Sequence, residues 1–207
     1  MGLLDEAMTL EPSSLKHLDL QEIRGMTWAL LREGVKSAKT PLHTPCLATL
    51  GEYGPSTRTV VLRLASEQDR LIACHSDIRS AKVMEAQKNP RASWLFYDHD
   101  RKLQLRLAGQ TTVHSDDDFA GTCWAATKPM GRACYNTQTG PGRKLQSPAT
   151  APGVMSTEAE ELGARKHFAV IACRIEFMDW LLLSARGHRR AQFVWRDGGW
   201  ESSWVAP

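Results

Sequence analysis

Four short stretches of this chain carry residue types that can do chemistry. The first is Arg58-Thr59-Val60-Val61-Leu62-Arg63. An arginine fork matches a phosphate with two parallel charge-assisted hydrogen bonds. Positions an odd number apart on a regular strand face opposite ways. Arg58 and Arg63 therefore share a pocket only if one sits at a strand end or a bulge; otherwise they are two solvated arginines. The second stretch, Ser76-Asp77-Ile78-Arg79-Ser80-Ala81-Lys82, opens a helix just after a strand. Free N–H groups and the positive end of the helix dipole make such a point a natural phosphate site, with Ser80 and Lys82 adding a hydroxyl and a cation. A plain helix cap at Asp77 accounts for the same residues equally well.

The third places Gln104 in a strand and Gln138-Thr139 at the head of a Gly/Pro-rich loop. Amides offer both donor and acceptor, which suits the imide edge of a flat ring, although a surface glutamine is the commoner occurrence. The fourth is Trp180 followed by Arg186-Gly187-His188-Arg189-Arg190. Trp180 can flank a flat ring and Arg190 can set positive charge beside it. Arg186 and His188, two apart, share a face of an extended segment. A core tryptophan and a solvated basic turn are the alternatives.

The elements that must position these residues are mostly strands. Apolar residues Leu20, Ile23, Leu30 and Leu31, with Thr27, recur at helical spacing, so 12–37 reads as a helix, ended by the Pro-containing segment 40–45. Residues 45–50, 57–64 and 70–75 read as an antiparallel meander, with a turn at 51–55. A short helix follows, capped by Asp77 and stopped at Asn89-Pro90, with Ile78, Ala81 and Met84 on its inner face. Strands are expected at 92–97 and 102–114. In the latter Leu103, Leu105 and Leu107 alternate with Gln104, Arg106 and Ala108. Helices at 115–126 and 158–166 flank a flexible Gly/Pro/Ser-rich loop over 139–157. Strands at 168–183, 189–195 and 200–205 close the chain, the last two joined as a hairpin at Asp197-Gly198-Gly199. Six to eight strands with few helices indicate a mainly β fold, a small closed or partly open antiparallel barrel with peripheral helices.

The 207 residues suit a single domain over 1–207, with an N-terminal helical segment over 1–43. The formal charge of +3 is too small to argue for nucleic acid. Basic residues cluster at 58–63, 79–82 and 186–190, which suits a small anionic ligand. Cys46, Cys74, Cys123, Cys134 and Cys173 are odd in number and lack a C-x-x-C pair, so no metal site is expected and free thiols in a reducing compartment are. No run approaches the ~20 apolar residues of a membrane span, and no signal peptide is seen. The expected location is the cytoplasm.

Taken in order, these pieces resemble the pyridoxamine 5′-phosphate oxidase family. The resemblance runs from about Thr44 to Pro207. Its R-x-V-x-L-[KR] strand is Arg58 to Arg63. Its helix end and next strand are Asn89-Pro90-Arg91 and Ala92-Ser93-Trp94-Leu95-Phe96-Tyr97. Gln104 with Gly109, Gln138-Thr139, Trp180 ten residues before Arg190, Arg186-Gly187-His188 and the closing Trp204-Val205-Ala206-Pro207 follow collinearly. The resemblance implies an FMN-binding split barrel (FMN, flavin mononucleotide), Greek-key-like, working as a homodimer with FMN in clefts between protomers. By match, Arg58, Thr59, Val60, Val61, Arg63, His75, Ser76, Ser80, Lys82, Gln104, Gln138, Thr139, Trp180 and Arg190 would contact FMN. Arg186 and His188 would face the substrate as catalytic residues.

This chain also departs from that pattern. Ala81-Lys82 stands where the family has Arg-Lys, with Arg79 or Arg91 as possible substitutes, and Arg63 replaces the usual lysine. The family's Tyr, Arg and Ser that grip the substrate phosphate fall near Gly121, Ala125 and Pro129, and none is retained; Lys128 and Arg132 lie close by out of register. The chain thus looks closer to a diverged branch than to the true oxidase. The expected function is an FMN-dependent oxidoreductase of open substrate, with a non-catalytic binding or carrier protein for FMN or another flat anionic cofactor as the alternative.

Overall fold

A computed structural model describes Leu15 and residues 17–149 and 155–207. The expected helix start at 12–14 and the stretch 150–154 of the Gly/Pro-rich loop lie outside the described residues.

Helix α1 spans Leu20–Lys36. Asp19 starts it through a capping box: the Glu22 N–H donates to Asp19 Oδ1 at 2.8 Å, and the Asp19 N–H donates to Glu22 Oε2 at 2.7 Å. Among the described residues the helix therefore begins later than the periodicity suggested. It buries Ile23, Trp28, Leu30 and Leu31 against the sheet.

Nine strands follow among the described residues: β1 Cys46–Gly51, β2 Gly54–Thr59, β3 Leu62–Ser66, β4 Leu71–Asp77, β5 Arg91–Asp98, β6 Leu103–His114, β7 Phe168–Leu182, β8 Arg189–Arg196 and β9 Gly199–Val205. Every pairing is antiparallel. The order is β2-β1-β5-β6-β7-β4-β3, with β8 joining β7 and β9 joining β8. The sheet forks at β7. Residues 168–174 of β7 pair with β4, and 177–182 pair with β8, while β6 runs along both parts. This fork divides the sheet into two arms.

Helices are α2 Ala81–Lys88, α3 Asp118–Ala126, α4 Pro129–Ala133 and α5 Glu158–His167. The core holds Trp28, Trp94, Trp180, Phe96 and Phe193. A second cluster joins Phe168 and Trp124 with part-buried Tyr135.

Several local expectations need correcting. Residues 57–64 are not one strand: Val60 and Val61 break it, and the Val60 N–H donates to the Pro45 carbonyl at 2.9 Å instead. Gly54 and Pro55 belong to β2, so the turn is shorter than 51–55. Asp77 does not cap α2. Its carboxylate accepts from the Arg79 N–H, and Ser80 stands at the N-cap. The inner face of α2 is Val83 and Ala86; Met84 is 56% exposed. Helix α3 starts at Asp118, capped by Asp117. The 197–199 hairpin stands as read, with positive φ at Asp197 and Gly198 giving the tight turn its hand.

Candidate functional site

The residues singled out from sequence fall into two groups. The first gathers at the N-terminal end of α2. The break at Val60-Val61 separates Arg58 in β2 from Arg63 in β3. Arg63 sits at a register shift, between the pairs Leu62↔Cys74 and Leu64↔Ala73. This is the irregularity that the odd spacing of the two arginines requires.

Arg58 points toward α2. Its Nη1 donates to Thr49 Oγ1 at 2.5 Å, and its Nη2 donates to Ser56 Oγ at 2.6 Å and to Glu85 Oε2 at 2.8 Å. Lys82 lies in the same field, held below the usual lysine range by burial first and by the Arg58 charge as well. Ser76 and Ser80 are 4% and 3% exposed, and their hydroxyls meet at 2.9 Å. Ser80 is the N-cap residue, yet its hydroxyl makes no cap bond to the helix. His75 packs edge-on to Phe168. Burial first, then the Arg63 charge, pushes its imidazole down to about 4.

Arg79 is engaged within its own chain. Its Nε and Nη2 grip Asp77 at 2.9 and 2.6 Å. Its Nη1 donates to the Thr137 and Gln138 carbonyls at 3.0 and 3.3 Å, and its Nη2 also donates to Thr137 Oγ1 at 2.9 Å. Gly140 packs on the same side chain: a Cβ there would lie 3.0 Å from Arg79 Cβ. Arg79 thereby ties the backbone around exposed Gln138 and Thr139 to the β4–α2 corner. Arg91 is engaged elsewhere, by Glu176.

The second group lies on the other face of the sheet. Register aligns Gln104, Leu181 and Arg190 across β6, β7 and β8, and Arg106, Asp179 and Gln192 in the next row. Asp179 is 2% exposed and takes two bonds from Arg190, at 3.0 and 2.7 Å. A cleft of about 390 Å³ is lined by Thr57, Ser93, Leu95, Gln104 and Arg106. Thr57 and Arg58 are neighbours on one strand and so face opposite sides. One chain therefore does not unite Arg58 and Lys82 with Gln104 and Arg190.

Trp180, between Asp179 and Leu181 on β7, faces away from the second group. It is 1% exposed in the core, beside Met178 and Leu182, and its Nε1 has no hydrogen-bond partner among the described residues. Arg186 and His188 are exposed in the β7–β8 turn. The Ser184 N–H donates to His188 Nδ1 at 3.0 Å, which leaves the ring proton on Nε2, facing outward chemistry. Sequence reasoning missed Glu85, Thr49 and Asp179, all of which bond a candidate arginine. An acidic residue one helical turn after Lys82 was the visible signal for Glu85. Arg132, near the expected substrate-phosphate region, is committed to the carbonyls of Trp124, Ala125 and Thr127 and to Glu161.

Among the described residues, no set of three or more His, Cys, Asp or Glu is placed to hold a metal. No described helix is long and apolar enough to cross a membrane. The donor set of the first group, two cations, two buried hydroxyls and a helix start free of a side-chain cap, fits a phosphate. The amide and cations of the second fit a ring bearing an imide.

The fold is shared with solved structures. A pyridoxamine 5′-phosphate oxidase-related FMN-binding protein of Nostoc punctiforme superposes with a TM-score of 0.69 at 23% identity, covering 89% of this chain and 96% of that one. PhzG of Burkholderia lata, in complex with tetrahydrophenazine-1-carboxylic acid, superposes at 0.63 with 19% identity, covering 99% and 98%. These define an FMN-binding split barrel. Residues 26–115 match the model of the FMN-binding domain of pyridoxamine 5′-phosphate oxidase. A pyridoxine/pyridoxamine 5′-phosphate oxidase of Pseudomonas putida is 28% identical over 190 residues, 84% of each chain.

Proposed function

We propose that this chain is an FMN-dependent oxidoreductase that works as a homodimer, with each FMN held between protomers. The observation that carries the reading is the division of the candidate residues. Phosphate-type donors (Arg58, Ser76, Ser80, Lys82) and ring-type partners (Gln104, Arg190) lie on opposite faces of one sheet. Only a second copy, apposed on the outer face, brings one group of each kind to a single ligand. Leu95 and Tyr97, exposed on that face at 42% and 47%, supply apolar area for such a contact.

FMN, when bound, supplies two-electron redox chemistry at its ring. The chain's own residues do the rest. Arg58, Lys82 and the paired serines anchor the phosphate. Arg63, beside His75, adds charge at the ligand's other parts. Gln138 and Thr139 reach the site from the segment that Arg79 holds. His188 offers an Nε2 proton to a substrate, and Arg186 offers a cation. The substrate is not gripped as pyridoxamine phosphate is in the family: Arg132, close by but out of register, is engaged within α3 to α5.

The test is the visible spectrum of the purified chain with FMN, paired with its mass in solution. A yellow dimer, bleached anaerobically by an amine, an alcohol or a reduced nicotinamide, supports the reading. A colourless monomer sinks it. Tight FMN binding with no bleaching by any donor reassigns the chain as a carrier.

A further inference from the structure

Asp179 is the most heavily bonded carboxylate on the outer face of the sheet. Arg190 Nε donates to its Oδ1 at 3.0 Å and Arg190 Nη2 to its Oδ2 at 2.7 Å. Gln192 Nε2 adds a bond to Oδ2 at 3.1 Å, and Arg106 Nη1 stands 3.8 Å away. The two arginines are unlike. Arg106 keeps 54% of its side chain exposed, whereas Arg190 keeps 26%. Arg190 Nη1 makes no hydrogen bond among the described residues. The fork grip on Asp179 fixes the plane of the guanidinium and leaves that edge free.

Stability alone does not call for this pair. A buried carboxylate is costly to desolvate, and well-packed apolar replacements of buried pairs are often no less stable. Burial pulls the Asp179 carboxyl up, but the Arg190 and Gln192 bonds and the two arginine charges hold it below its ordinary range. It is therefore an anion at neutral pH, set one row from Gln104 on the face assigned to the cofactor ring.

We propose that Asp179 is a positioning residue that aims Arg190 at the FMN ring and moderates the positive charge it presents there. The inference rests on the reading that the face carrying Gln104 and Arg190 receives the ring. Two-electron reduction of FMN with uptake of one proton adds one negative charge to the ring. A fixed, uncompensated cation beside the ring favours that reduced form. Asp179, by pairing with Arg190, weakens this preference and keeps the midpoint potential lower than Arg190 alone would set it.

The experiment measures the midpoint potential of the FMN-loaded full chain by dye-coupled reduction. Asp179→Asn keeps the shape and removes the charge. Its reduced FMN is expected to bind about tenfold more tightly relative to oxidised FMN, a rise of about 30 mV for a two-electron couple. Arg190→Gln is expected to move the potential down. Adding Asp179→Asn to Arg190→Gln is expected to raise the potential by clearly less than it does in the parent chain, because Asp179 acts largely through Arg190. An unchanged potential in Asp179→Asn with a shifted one in Arg190→Gln overturns the inference and leaves the cofactor reading standing. Unchanged potentials in both variants overturn the cofactor reading of this face, and the inference with it. If Asp179→Asn alone does not load FMN, the double variant decides: a rise of the full size, about 30 mV, over Arg190→Gln overturns the positioning role, and a clearly smaller one supports it.

Discussion

Arg58 of β2 donates to Glu85 of α2 at 2.8 Å, so the leading phosphate candidate already holds an anion of its own chain. Burial pulls the Glu85 carboxyl up, but bonds from Thr49 and Arg58 and the nearby charges keep it ionised below its usual range. An incoming phosphate must share Arg58 with it. Glu85→Gln is expected to tighten FMN binding by roughly threefold, the scale of a part-exposed ion pair. Arg58→Ala is expected to loosen it by roughly 10- to 100-fold, the scale of a hydrogen bond to a charged group. Quenching of FMN fluorescence on titration with protein measures both.

Arg79 links Asp77 to the backbone at 137–138. Arg79→Ala frees the start of the Gly/Pro-rich loop, where Arg143 and Lys144 are exposed. Trypsin is expected to cut there about tenfold faster, since each ~1.4 kcal/mol lost from a local opening free energy is a factor of ten. An unchanged cleavage rate would show that the loop is held by something else.

His75 has its pKa lowered from 6.5 to about 4 by burial and by Arg63. The unfolded chain then binds more protons than the folded one between those values, so stability rises with pH across that window. The contribution is full above about pH 6.5 and is lost as pH falls toward 4. Its upper size is about 3 kcal/mol. Urea unfolding at pH 7 and pH 5 is expected to show a smaller loss on acidification for His75→Gln than for the parent chain.

Gly109 sits where the β6–β7 register shifts, and a Cβ there would stand 1.9 Å from the Arg174 carbonyl oxygen. Backbone, not a flexible side chain, must move. Gly109→Ala is expected to cost about 3 to 4 kcal/mol and to lower Tm by roughly 10 °C. A thermal melt followed by far-UV circular dichroism reads it.

The strands were legible because their patterns are local. In β6 the alternation of Leu103, Leu105 and Leu107 with Gln104 and Arg106 maps directly onto buried and open faces. The run from Thr57 to Leu64 misled because β-branched residues continue through Val60-Val61, where a tertiary bond from Val60 to Pro45 turns the chain. Asp77 misled for a related reason: a side chain able to cap a helix is equally able to bond an arginine two residues on. Trp180 carries no mark in sequence that tells a core ring from a ligand-facing one; the pleat decides it. Of the candidate site, the phosphate-type residues were readable from type and spacing. Glu85 and Asp179, which occupy the arginines, were not, because their partners lie 27 and 11 residues away in sequence.

β7 is the shared partner of β6, β4 and β8, yet it begins only at Phe168. Until that segment is synthesised, β4 and β6 each have an unsatisfied ladder edge. Closing the distance from Leu71 to Arg174 is a long-range step, and such pairings are slow and leave strand edges open to aggregation. A nascent chain of this kind stays vulnerable on the ribosome until β7 has emerged, and a ligand can stabilise it only after the fork has formed.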